Sequence, residues 1–202
     1  MKEPEKAPPA WLETIRLEHV PETHSVHVAV FKDIENAEFL HQQLLGRNAD
    51  FEYAFIDASS VVSRLQVLSA IFKSITVQLN GAMKTPNIHS EIVSSLSPTK
   101  NISEAYRRYG ITPTSKNIIV VRVLISPSTL TAEDVEKHLV DNVQGVSRPL
   151  DDKTLSGFTD WSKIRKYYKL NGVGWVDALK DVGVKSKEME MLVLGGMSLR
   201  GL

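Results

Sequence analysis

The chain has 202 residues, with 24 basic and 24 acidic side chains, and so carries no formal net charge. Its hydrophobic fraction of 42% and charged fraction of 24% suit a globular chain and exclude wholesale disorder. Zero net charge gives no support to a strongly basic nucleic-acid-binding domain, and the lack of cysteine excludes disulfides, thiolate zinc sites and a cysteine nucleophile.

Met1 to Ala10 holds four charges and three prolines and has no apolar run of the kind a signal peptide needs. Residues 1–12 are therefore expected to form a flexible extension. The longest apolar runs, such as Ile118 to Val121, are far shorter than the roughly 20 residues of a membrane helix. A soluble chain with no membrane contact is expected.

Thr14 to Glu18 is a short strand candidate, and Ser25 to Phe31 alternates so that Val26, Val28 and Val30 share a face. Asp33 or Asn36 can cap a helix carrying Ala37, Leu40, Leu44 and Leu45, with Gly46 at its end. Tyr53 to Ile56 is a second short strand. Ser59 or Ser60 then opens the longest periodic segment, with Leu65, Leu68, Phe72, Ile75 and Leu79 on one face. Such a stripe is expected to pack inward. Asn80-Gly81 ends it.

Ile88, Ile92 and Leu96 predict another helix, stopped near Ser97-Pro98. Asn101 and Glu104 have capping-box spacing, Ala105, Tyr106 and Tyr109 line the short helix that follows, and Gly110 closes it. Asn117 to Ile125 is a nearly continuous apolar run, expected to be a central strand covered on both faces except at Arg122. Thr131 and Asp134 open a helix whose apolar face is Val135, Leu139 and Val140. Asp160 caps Trp161 to Leu170. Trp175 to Val182 and Lys187 to Leu194 are shorter helices, the last weakened by Gly195-Gly196. The pattern predicts an α+β fold: one compact domain over residues 13–202, with an antiparallel sheet of about four strands packed with helices.

Catalytic motifs fail on context. Ser97-Pro-Thr-Lys100 has the S-x-x-K spacing of penicillin-recognising enzymes but lacks their partner motifs, so a loop between helices is expected. His24 and His27, an odd number of residues apart on a strand, point to opposite faces and cannot share a metal. Gly172-Val-Gly174 lacks the third glycine of a nucleotide loop. No metal or cofactor is expected.

Charge is unevenly distributed. Residues 1–60 carry net −6, residues 84–122 net +4, and residues 161–170 net +4 from Lys163, Arg165, Lys166 and Lys169. Trp161, Tyr167 and Tyr168 lie among these bases. Cations beside aromatics suit phosphate neutralisation and base stacking, and they equally suit a solvated helix with its aromatics in the core.

The segment Met83 to Ile111 contains a basic Thr-bearing stretch, a short helix, Leu96-Ser97-Pro98, Asn101-Ile-Ser-Glu-Ala105 and Tyr109-Gly-Ile111. This order resembles the signature of the TPRKB family, small kinase-binding subunits of the KEOPS (EKC) complex. Val30 to Ala37 resembles that family's L-F-K/E-x-V-K-N-A block. Phe55-Ile56-Asp57, Ile164 to Leu170 and Leu199 to Leu202 also fit, the last resembling fungal-type members. The likeness runs from about residue 13 to the end and is poor between Asn171 and Leu194.

The resemblance implies a non-catalytic subunit that binds and stimulates the atypical kinase-like ATPase of KEOPS and meets the other subunits indirectly. It implies recognition of the tRNA acceptor end, in a complex that threonylcarbamoylates an adenosine beside the anticodon. It further implies residence in cytoplasm and nucleus and a link to telomere maintenance. On this reading Ile102, Tyr106, Tyr109, Leu199 and Arg200 contact the kinase. Lys84, His89, Lys100, Arg107 and Arg108 serve tRNA. A free-standing RNA-binding module is the alternative, and a Ser97/Lys100 hydrolase is a more distant one.

Overall fold

The valine alternation of the second strand organises the molecule. A computed structural model describes residues 11–200. In it β1 (Leu12–Ile15) and β2 (His24–Lys32) form an antiparallel pair, followed by α1 (Ala37–Leu45) and β3 (Ala54–Asp57). Next come α2 (Arg64–Leu79), α3 (Ile88–Ser95), α4 (Ile102–Tyr109) and β4 (Ile118–Ile125). The chain continues through α5 (Ala132–Asn142), β5 (Val146–Arg148), α6 (Asp152–Ser156), α7 (Trp161–Tyr167), α8 (Gly174–Asp177) and α9 (Val182–Ser198).

The sheet order is β1-β2-β4-β3, all antiparallel. A fifth strand joins the four expected, because β5 pairs with Val30 to Lys32 while β1 pairs with Val26 to Ala29. Residues 1–10 of the expected extension lie outside the described residues. Leu12, which that extension included, is buried in β1.

Strand pleating gives the sheet two apolar faces. Val26, Val28, Val30, Ile56, Ile119, Val121 and Val123 pack with α2, α3, α7 and α9. Ala29, Phe31, Phe55, Ile118 and Val120 pack with Leu40 of α1 and Val135 and Leu139 of α5. The sheet is thus a middle layer, and β4 is covered on both faces with Arg122 the least buried residue before its last. Val140, expected on the inner face of α5, is exposed.

The closing Tyr-Gly-Ile of the signature has a structural task. Ile111 N–H donates to the Phe55 carbonyl at 3.0 Å and Gly110 bridges Ile56, so this segment shields the outer edge of β3. A Cβ at Gly110 would lie 2.7 Å from the Tyr106 carbonyl oxygen, which no side chain tolerates. The reciprocal capping box forms at Thr131 and Asp134, whereas at the expected Asn101–Glu104 pair only Asn101 caps and the Glu104 carboxylate turns to Arg107 and Arg108; Asn87 and Asp160 cap α3 and α7 through their side chains. The cap of α2 is Ser63 rather than Ser59 or Ser60.

α9 runs unbroken through Gly195-Gly196 to Ser198, where a weakened end was expected. Gly196 lets the helix approach Tyr168, whose ring would be 3.2 Å from a Cβ placed there. Packing replaces the helix propensity that the glycines lack.

Candidate interaction surfaces

Of the stripe expected to fill the core, Ile75 is buried and Leu68 half-buried, whereas Leu65, Phe72 and Leu79 face outward. On α2 the buried positions are Gln66, Val67, Ala70, Ile71, Ser74 and Ile75, whereas Leu65, Phe72 and Leu79 are 52%, 40% and 48% exposed. Small residues bring α3 close to α2: Ser74 Oγ donates to Ser95 Oγ at 3.1 Å. The large side chains are left on the opposite side. Leu17, Leu65, Leu68 and Phe72 line a shallow depression with Met197 at the end of α9.

Two cations fix that end of α9. Lys73 Nζ donates to the Met197 carbonyl at 2.7 Å. Arg200 donates to the Ser94 carbonyl and, at 2.9 Å, to Ser94 Oγ. Leu199 follows directly and is 63% exposed. Of the expected kinase contacts, Leu199 therefore lies next to this apolar face, and Arg200 braces it from a half-buried position. Ile102 and Tyr106 are half-buried on α4. Tyr109 is a correction: it is fully buried, with its ring edge-on to Tyr167 and Tyr168 at 5.7 and 6.2 Å, and offers no surface. Its spacing from Ala105 places both on the inner face of α4.

A second surface is a cleft of about 800 Å³ between the end of α1, the start of α3 and the end of α4. Phe51, Pro86, Tyr106 and Pro113 give it an apolar lining, and Arg47 and Arg107 add positive charge. Its lip is the basic Thr-bearing segment of the signature. Glu91 holds that turn, accepting from Lys84 N–H at 3.2 Å, Thr85 N–H at 3.1 Å and Thr85 Oγ at 2.7 Å. Lys84 itself remains exposed.

His89 is the second correction among the expected tRNA contacts. It lies in the cleft wall but is buried, and its Nε2 accepts from the Val123 N–H at 2.9 Å. β3 pairs with β4 only as far as Val121, so Val123 has no strand neighbour on that side. The imidazole takes the missing strand's place. Burial, with the nearby Arg122 cation, pushes its pKa down to about 3 and keeps it neutral.

Lys100 and Arg107 are exposed. Glu104 pairs with both Arg107, at 3.5 Å, and Arg108. Arg108 is half-buried, its guanidinium 4.9 Å from the centre of the Tyr167 ring. Arg47, which sequence reasoning missed, bears no motif and follows Gly46 at the end of α1.

The rejected motifs are structural. Ser97 is buried after α3 and accepts from Thr99 N–H at 3.1 Å, so it does not start a helix with Lys100 one turn on. His27 is buried between Thr14 and Ser25, while His24 meets Gln78. Among the described residues, no cluster of three metal-ligating side chains occurs.

The chain is an α+β layered protein that presents two separate candidate binding surfaces, an apolar helical face and a basic cleft. A profile of the family described as kinase binding protein CGI-121 matches residues 31–201. The EKC/KEOPS complex subunit CGI121 of Gibberella zeae is 53% identical over 195 residues, covering 95% of this chain and 99% of the relative. Its counterparts in Neurospora crassa and Schizosaccharomyces pombe are 46% and 38% identical, covering 95% and 75% of this chain and 99% and 84% of theirs. The chain belongs to the CGI-121 family of kinase binding proteins.

Proposed function

We propose that this chain is a non-catalytic subunit of an EKC/KEOPS complex that docks the complex's kinase-like ATPase on its α2–α9 face and stimulates it. The observation that carries this reading is the outward stripe of Leu65, half-buried Leu68 and Phe72, set over a depression that buried Met197 helps to line. Apolar side chains of that size, gathered on one face and rimmed by Lys73 and Arg200, have the anatomy of an interface core with a polar rim. The family's description as kinase binding proteins points to a kinase as the partner, and the relatives named EKC/KEOPS subunits point to the complex that holds it.

The cleft is the second half of the proposal. Its apolar walls and its basic side chains Arg47 and Arg107, with Lys84 close by, suit an unpaired RNA end, where bases stack and phosphates meet cations. The chain would thereby help to recruit tRNA by its acceptor end for threonylcarbamoylation of the adenosine beside the anticodon. Action in both cytoplasm and nucleus follows from this role.

Co-purification with the kinase subunit, followed by its ATPase assay with and without tRNA, tests the proposal. Retention without RNA and a raised ATPase rate support it. RNA binding without retention of the kinase would instead establish a free-standing RNA-binding module.

A further inference from the structure

Two helices end on cations at positions where glycine is the usual residue. At the end of α7, Leu170 N–H donates to the Arg165 carbonyl at 2.8 Å and Lys169 N–H to that of Lys166 at 3.4 Å. At the end of α1, Asn48 N–H donates to the Gln43 carbonyl at 3.1 Å and Arg47 N–H to that of Leu44 at 3.1 Å. These are Schellman closures, with Lys169 and Arg47 in the left-handed position at φ 57° and 53°. The same closure after α2 uses Gly81, at φ 63°. A side chain in this conformation presses its Cβ on the carbonyl that follows, a cost glycine avoids. Attraction to the helix dipole offsets part of that cost for a cation.

The four cations of the basic segment 161–170 divide sharply. Lys163 Nζ donates to Ser59 Oγ at 2.8 Å, and Arg165 pairs with Asp177 at 2.6 Å. Lys166 and Lys169 are exposed, with no ion-pair partner among the described residues. Arg108 joins α7 to α4 by covering the Tyr167 ring. The preceding residue, Arg107, lines the cleft on the other side of α4. The cleft and the free lysines of α7 are thus flanks of the same short helix, with exposed Lys100 just before it.

We propose that Lys166 and Lys169 form a phosphate track that carries the RNA backbone from the cleft across α4 and over the end of α7. The track rests on the reading of the cleft as the seat of a tRNA end, and it extends that binding to the nucleotides preceding the end. Lys169 keeps its strained place because the charge is needed there.

The test uses the full chain bound to its kinase partner and an unmodified tRNA transcript, with affinity measured across a salt series. Neutralising both residues, Lys166→Gln with Lys169→Gln, is expected to weaken binding roughly tenfold and to lower the salt slope by about 0.7 for each phosphate no longer neutralised. Lys169→Gly is the decisive single change. It is expected to raise the melting temperature while lowering tRNA affinity, a pairing that a purely structural lysine does not produce. Wild-type tRNA affinity in Lys169→Gly and in the double variant, with Arg107→Glu still weakening binding, would overturn the track and leave the cleft reading intact. No tRNA binding by the wild-type complex would overturn both.

Discussion

His89 of α3 accepts the backbone N–H of Val123 in β4, so a side chain finishes the hydrogen bonding of the central strand where β3 stops. Removing the ring leaves a buried amide unpaired. His89→Ala is expected to cost about 1–3 kcal/mol, and more if a cavity remains. His89→Gln, whose amide oxygen can accept, should recover part of this. Urea unfolding of the two variants checks the order. Loss of stability for Ala no greater than for Gln would remove the strand-finishing role.

The same histidine makes stability depend on pH. Its pKa is about 3 in the folded protein against an ordinary 6.5, and burial also lowers those of His27 and His138. Below pH 6.5 the unfolded chain binds protons that the folded chain refuses. The stabilisation from His89 is complete above that value and is lost as pH falls toward 3, with a slope approaching about 1.4 kcal/mol per pH unit, and His27 and His138 add to it in the same direction. Measured above about pH 5.5, a full unit over the ordinary 4.5 of glutamate, the fall reports histidines rather than carboxylates. His89→Gln is expected to flatten it.

The outward stripe predicts a separation of binding from folding. Leu65→Asp and Phe72→Asp are expected to abolish retention of the kinase while costing only about 1–2 kcal/mol of stability, since roughly half of each side chain is already exposed. Tyr109→Ala should do the reverse at the level of the fold, costing about 3–5 kcal/mol through a core cavity. Melting curves beside a pull-down distinguish the two. Kinase retention by both aspartate variants would relocate the docking face.

The adjacent glycines of α9 should respond oppositely to enlargement. A Cβ at Gly195 meets nothing within 4 Å, so Gly195→Ala is expected to stabilise by about 0.5–1 kcal/mol through helix propensity. At Gly196 the Cβ presses on Tyr168. That ring cannot swing away, because its hydroxyl is tied to Gln66 and to the Leu96 carbonyl. Gly196→Val is therefore expected to destabilise, as a thermal melt will show.

Much of the fold was legible because local and global preferences agree. β4, the capped helices α3, α4 and α5, and the strand β2 all announce themselves by period and cap. The outward stripe of α2 did not, because leucines mark an apolar face without saying what covers it. The face that packs inward carries Ala70 and Ser74, whose small size permits close approach and leaves little trace in a hydrophobic pattern. β5 is three residues, Val146 to Arg148, too short for alternation to register. His89 and Tyr109 look like binding residues in sequence, and only their depth below the surface shows otherwise. Arg47 is recognisable only from the backbone angle it adopts.

The sheet's borders carry a further consequence. β1, β3 and β5 have four, four and three residues, β1 and β5 share one flank of β2, and Gly110 with Ile111 shields β3. Among the described residues, no long bare strand is left for another chain to extend. Edge-to-edge pairing of sheets between copies of the chain is thereby disfavoured. Substitutions on the exposed faces of α2, α9, α4 and α7 can therefore change the molecular surface without touching the strand register that holds the core in place.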